Sequence, residues 1–174
     1  MGQYVKASIA RPDGQPGRGL TPKDRLVVID VDDIETFPAR DADGVTIATD
    51  IVMKQGKTGV GIYITPGTAN VSSNSSGDAD AEGFTPSVQI SHPGNKTEIR
   101  AFKQNWLGKN CIVILEYCDG TKDLIGSPCN PCKLAVEYSG TNEANANQLT
   151  FQQVSKGDDI AIYTGAVTTD AGAA

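Results

Sequence analysis

Hydrophobic residues along the chain follow two rhythms, alternation and unbroken runs. From Val45 onward apolar and polar positions alternate through Ile47, Ile51 and Met53, and the alternation resumes at Val60, Ile62 and Ile64 after the turn signal Gln55-Gly56-Lys57-Thr58-Gly59. A period of two belongs to a strand with one buried face, so this stretch predicts a long hairpin over about 45–64. Such a hairpin is short of residues to hold it alone and needs a covering partner. Cys132, Leu134, Val136 and Tyr138 alternate as cleanly, and Phe84, Val88 and Ile90 share one face of a strand predicted at 84–91. Leu26–Val31 is apolar and β-branched and reads as a strand.

Between His92 and Gly126 the period changes. Asn95 is the expected N-cap with Glu98 at capping-box spacing, and Ile99, Phe102, Trp106 and Leu107 recur on one helical face. Gly108 ends that helix, and Cys111-Ile112-Val113-Ile114-Leu115 follows as an apolar run too short for a second one. It leads to Asp119-Gly120, a strong hairpin signal. This unit contains the only Trp and the longest aliphatic run, so it is expected to supply the largest share of the core.

The remaining segments are polar or short. Gln3–Ile9 reads as a short strand, and residues 11–25, with Pro12, Pro16, Pro22 and several glycines, as a long loop or N-terminal arm within about 1–25. The arm carries Arg11, Arg18, Lys23 and Arg25 against Asp13 and Asp24; it is either a solvated loop or an arm that docks on an acidic neighbouring copy. Thr65–Gly83 and Gly140–Asn147 read as polar loops, Gln148–Val154 and Asp159–Thr164 as the closing strands, and 168–174 as a frayed tail. With no repeat and no linker, the 174 residues predict one domain. It is mainly β, an antiparallel sandwich or barrel of about eight or nine strands with one α-helix on its flank.

Composition narrows the function classes. A formal charge of -6 argues against a stable nucleic-acid-binding surface, because phosphate affinity comes from clustered Lys and Arg. No run approaches the roughly 18 to 20 apolar residues of a membrane span. The start has no apolar signal-peptide core, and Lys6 breaks the myristoylation pattern, so folding in a cytoplasm is expected. The glycosylation matches at Asn70, Asn74 and Asn95 are then fortuitous.

Candidate chemistry is sparse. Gly56-Lys57-Thr58 resembles the end of a phosphate loop, but Ile51 stands where its first Gly belongs and a strand follows where a helix is required. Asp78-Ala79-Asp80-Ala81-Glu82-Gly83 opens like a calcium loop, yet the twelfth position is Gln89 and no helix precedes it. Cys129-Asn130-Pro131-Cys132 has the gap of a zinc knuckle, and Cys118 is a third candidate ligand; Cys111 is out of phase with Cys118. Free structural thiols, a zinc site on Cys118, Cys129 and Cys132, or a disulfide are the three readings. His92, the one histidine, precedes Pro93-Gly94 in a predicted turn rather than a pocket, so no catalytic set is expected.

The run from Gly77 through Pro131 carries a resemblance. Its strand ending in Pro93-Gly94, its helix, its buried strand with an Asp-Gly tip and its return to Gly126-Ser127-Pro128-Cys129 resemble the central part of tail tube proteins of tailed phages, of the type found in phages of Bacteroidetes. That resemblance covers about a third of the chain. It implies a virion structural protein, no enzyme and no cofactor: a subunit of stacked hexameric rings whose strands form a continuous β-barrel around a lumen, helix outside, through which DNA is ejected. It implies assembly in the host cytoplasm, location in the virion tail, and contacts with itself and with tape measure, tail terminator and baseplate proteins, with no membrane. The subunit contacts are expected at the hairpin residues Val45, Ile47, Ile51, Met53, Val60, Ile62 and Ile64 and at Arg11 and Arg18, and the acidic balance suits a lumen that repels DNA. The alternatives are another virion component (head-tail connector, tail terminator or capsid decoration protein) or a small cysteine-based metal-binding or redox module. A connector would form one closed ring where a tube subunit polymerises.

Overall fold

The computed structural model describes residues 7–169. It is mainly β, a sandwich-like mixed sheet without closure into a barrel. Twelve strands and one α-helix follow in order: β1 (Pro22–Asp30), β2 (Ile34–Thr36), β3 (Thr46–Ile47), β4 (Val52–Met53), β5 (Val60–Tyr63), β6 (Asn70–Ser76), β7 (Gly83–Pro93), α1 (Thr97–Trp106), β8 (Cys111–Tyr117), β9 (Lys122–Ile125), β10 (Cys132–Gly140), β11 (Asn145–Gln153) and β12 (Ala161–Tyr163).

Ten of the strands form two layers, and β2 and β4 make a separate two-stranded sheet. The first runs β5-β1-β8-β9-β12-β3 and the second β10-β11-β7-β6. They join at one corner, where Cys132 pairs with Cys111. Because β1 and β8 are apolar at every central position, the first layer buries both faces. Leu26, Val28, Val113 and Leu115 face Val88, Ile90, Leu149 and Phe151 of the second layer in one core, which Ile99 of α1 closes. Val27, Ile29, Ile112 and Ile114 face the other way, onto Ile47, Ile51, Leu124 and Tyr163 in a second core. The second layer buries only one face, which explains its alternation.

Tyr163 holds the second core shut. Its hydroxyl, almost wholly buried, accepts from Ile51 N at 3.1 Å and donates to Ala166 O at 2.8 Å, while Asp50 accepts from Ala166 N at 2.7 Å. These bonds draw the chain around Ile51 and the segment after β12 over the first layer. Gly165 is required there, since a Cβ would stand 2.7 Å from the Tyr163 hydroxyl.

The predicted hairpin over 45–64 does not form. β3 pairs in parallel with β12, whereas β4 pairs antiparallel with β2 and β5 antiparallel with β1. The alternation is real, but Ile47 and Ile51 enter one core while Ile62 and Ile64 enter the other, on opposite faces of the same layer. β3 and β5 end at opposite edges of the first layer, with β12, β9, β8 and β1 between them, so they cannot pair with each other.

Other boundaries differ in smaller ways. β1 starts at Pro22, so Lys23, Asp24 and Arg25 belong to the sheet and the arm is shorter than predicted. The predicted strand at Gln3–Ile9 lies mostly outside the described residues; Ala7, Ser8 and Ile9 are exposed and form no strand. Thr65–Gly83 contains β6, and β10 and β11 leave only residues 141–144 as their loop. α1 is capped by Lys96 without a side-chain bond; Asn95 instead accepts from Arg100 Nε through its carbonyl and from Lys103 Nζ through its amide oxygen. Of the predicted frayed tail, Thr168 and Thr169 are bridged to Gly59, and the rest lies outside the described residues.

Candidate functional site

A groove of about 490 Å³ opens where β1, β5 and β8 pass the edge of the second core. Lys23, Arg25, Tyr63, His92 and Glu116 line it. His92 is therefore on β7 beside a groove, not in a turn, and its Nδ1 stands 3.0 Å from Tyr63 O. No Ser, Thr or Cys is among these lining residues, and Glu116 is paired with Lys23 at 2.7 Å.

The structure does not bring the zinc candidates together. Cys118 lies at the β8–β9 turn, Cys129 in the loop before β10, and Cys132 in the first core. Among the described residues no group of three or more His, Cys, Asp or Glu converges on a metal position. Cys111 and Cys132 are cross-strand neighbours, and all four cysteines are free. Burial pushes the Cys111 thiol up to about 12 and raises Cys132 further, so both stay protonated and unreactive. Ellman titration of the native protein is expected to count the exposed Cys118 and Cys129 only, with the other two appearing in denaturant. Gly56-Lys57-Thr58 forms a turn into β5, and Gln89 sits within β7 rather than at a calcium ligand position.

Asp123 bears on stability rather than chemistry. Burial raises its carboxyl above the ordinary 3.8, opposed by the hydroxyl of Tyr117, which donates to it at 2.8 Å. A carboxyl that holds its proton more tightly when folded stabilises fully below its unfolded pKa, and that contribution is lost as pH rises through the folded value. Asp123→Asn keeps an oxygen for Tyr117 and is expected to gain stability relative to the parent as pH rises from 3 to 7, measured by denaturant unfolding at each pH.

The predicted subunit-contact residues are mostly used up inside one copy. Ile47, Ile51, Ile62 and Ile64 are buried, Met53 and Val60 half-buried, and only Val45 is exposed among the seven. Ile62 and Ile64 belong to the first core and Ile47, Ile51 and Met53 to the second. Arg11 and Arg18 remain on the exposed arm, where Arg11 donates to Gly14 O within the arm itself.

What stays open is the second layer. Ser91 O accepts from Thr65 N, while Phe84 exchanges bonds with Gly157 beyond β11, so odd residues of β7 turn their backbone groups to β6 and even ones to β11. Alternation then fixes every strand. In β6 the even residues bond β7, leaving Val71, Ser73 and Ser75 aimed outward. In β10 the odd residues bond β11, leaving Leu134, Val136, Tyr138 and Gly140 aimed outward. Among the described residues no strand pairs with either row. β6 pairs with β7 for seven residues without a bulge and carries neither charge nor proline, so it lacks the usual devices that blunt an edge. The sequence hid this strand, because Asn70–Ser76 is polar on both faces and reads as loop; its only signal is the unbroken alternation of its partner, β7.

No family model, no curated protein and no solved structure matches the chain.

Proposed function

We propose that the chain is a self-assembling structural subunit that joins its own copies edge to edge into rings, and that these stack as a tail tube through which DNA passes. The observation that supports this is the second layer with its two open edges. β6 and β10 run in opposite directions, so β6 of one copy placed beside β10 of the next continues an antiparallel sheet. The outward-aimed residues of both edges, Val71, Ser73 and Ser75 on one and Val136 and Tyr138 on the other, turn their side chains toward the core face. Joining them therefore keeps the core face on one side and the polar face on the other. Two different edges meeting head to tail make a heterologous contact, which closes into a ring when its rotation allows.

This replaces the hairpin as the source of unpaired edge, while the resemblance of residues 77–131 to tail tube proteins supplies the stacking and the cargo. Arg11 and Arg18 on the exposed arm suit contacts between rings. Negative-stain microscopy of the concentrated protein is the test. Hollow fibres of uniform width are expected; a single closed ring would favour a connector or terminator, and monomers, or dimers joined through one edge alone, would overturn the proposal.

A further inference from the structure

If the second layer closes through its edges, one of its faces must look into the lumen. The core face cannot, because the first layer, the second core and α1 all sit on it. The lumen wall is then the opposite face, whose side chains are set by strand parity. They include Ser72 of β6, Ser87 and Gln89 of β7, and Gln148, Thr150 and Gln152 of β11. No outward position on these three strands is charged. β10 adds Lys133, whose ammonium donates to Gly108 O, and Glu137.

From this we infer that the wall facing the passenger is a neutral carpet of hydroxyl and amide groups rather than the carboxylate-lined surface that the overall charge suggests. The inference rests on the ring assembly proposed above and adds to it which face and which residues meet the polyanion. The physical consequence follows from how proteins hold nucleic acid. Retention needs free cations that release counterions, and carboxylates would add a repulsive barrier to entry. Ser, Thr, Asn and Gln offer a phosphate no more than water does, so a duplex passes with neither trap nor barrier. The acidic side chains Asp78, Asp80, Glu82, Asp158 and Asp159 lie instead in the β6–β7 and β11–β12 loops rather than on these strands.

The test uses the full chain with Cys118 and Cys129 replaced by Ser, carrying either Gln89→Cys on the polar face or Lys57→Cys in the turn before β5. Both cysteines should react with a small maleimide and with a bulky polymer-linked maleimide in the free subunit. In assembled fibres Gln89→Cys should lose bulky labelling while keeping the small one, and Lys57→Cys should keep both. Bulky labelling of Gln89→Cys that is equally fast before and after assembly overturns the face assignment while leaving the assembly standing. Failure of the unmodified chain to form fibres or rings removes the assembly and this inference together. A second arm measures retention of short duplex DNA by the fibres. None is expected for the parent, and salt-sensitive retention is expected for Gln89→Lys with Thr150→Lys; retention by the parent overturns the neutral wall.

Discussion

Replacing Tyr163 by Ala is expected to destabilise the fold by about 3–5 kcal/mol, the range for removing a buried aromatic ring from a packed core. The ring is almost fully buried in the second core, and its hydroxyl links Ile51 N to Ala166 O. Tyr163→Phe keeps the ring and leaves those two backbone groups without their partner, at a cost of about 1–3 kcal/mol. Urea unfolding of the three proteins checks both figures. If Phe proves neutral, the two segments are held by packing alone and the hydroxyl is incidental. Because the second core lies on the far side of the first layer from the proposed lumen, either variant that remains folded should still assemble.

Ser75→Pro is expected to abolish assembly and leave the subunit folded, with a stability change of about 1 kcal/mol or less, since proline on an edge strand is tolerated where the lost N–H faces solvent. Ser75 aims its N–H away from β7 and is exposed, so the β6–β7 ladder keeps its bonds. An incoming β10 loses a donor and meets a ring. Asn74→Pro is the contrast, because Asn74 is paired with Thr85 and turns its N–H to β7. That variant should fray β6 and lower stability. Fibres of normal yield from Ser75→Pro would show that copies meet somewhere other than this edge.

The two edges were unequally visible in the sequence. β10 announces itself through the alternation of Cys132, Leu134, Val136 and Tyr138, and β7 through Phe84, Val88 and Ile90. β6 does not, because Val71 is the one apolar residue in Asn-Val-Ser-Ser-Asn-Ser-Ser, and a strand whose inner face is partly serine has no period to detect. The 45–64 stretch misled for the opposite reason. Its alternation was genuine, but period gives the exposed and buried faces of a segment and says nothing about which strand lies beside it. Pro93-Gly94 predicts a turn at His92, whereas β7 continues through Pro93 and brings the ring beside Tyr63.

By itself the sequence determined the class of fold, the single helix stopped at Gly108, and the buried strand at Cys111–Tyr117 with its turn at Gly120. These are local: period, caps and turn residues act within a few positions of themselves. Only the tertiary structure decided that the first layer has a core on each face, that Ile47 and Ile62 belong to different ones, and that β6 and β10 end the second layer with bare backbone. Pairing between distant strands is set by competition among all available edges, and such competition is resolved only when the whole chain has packed.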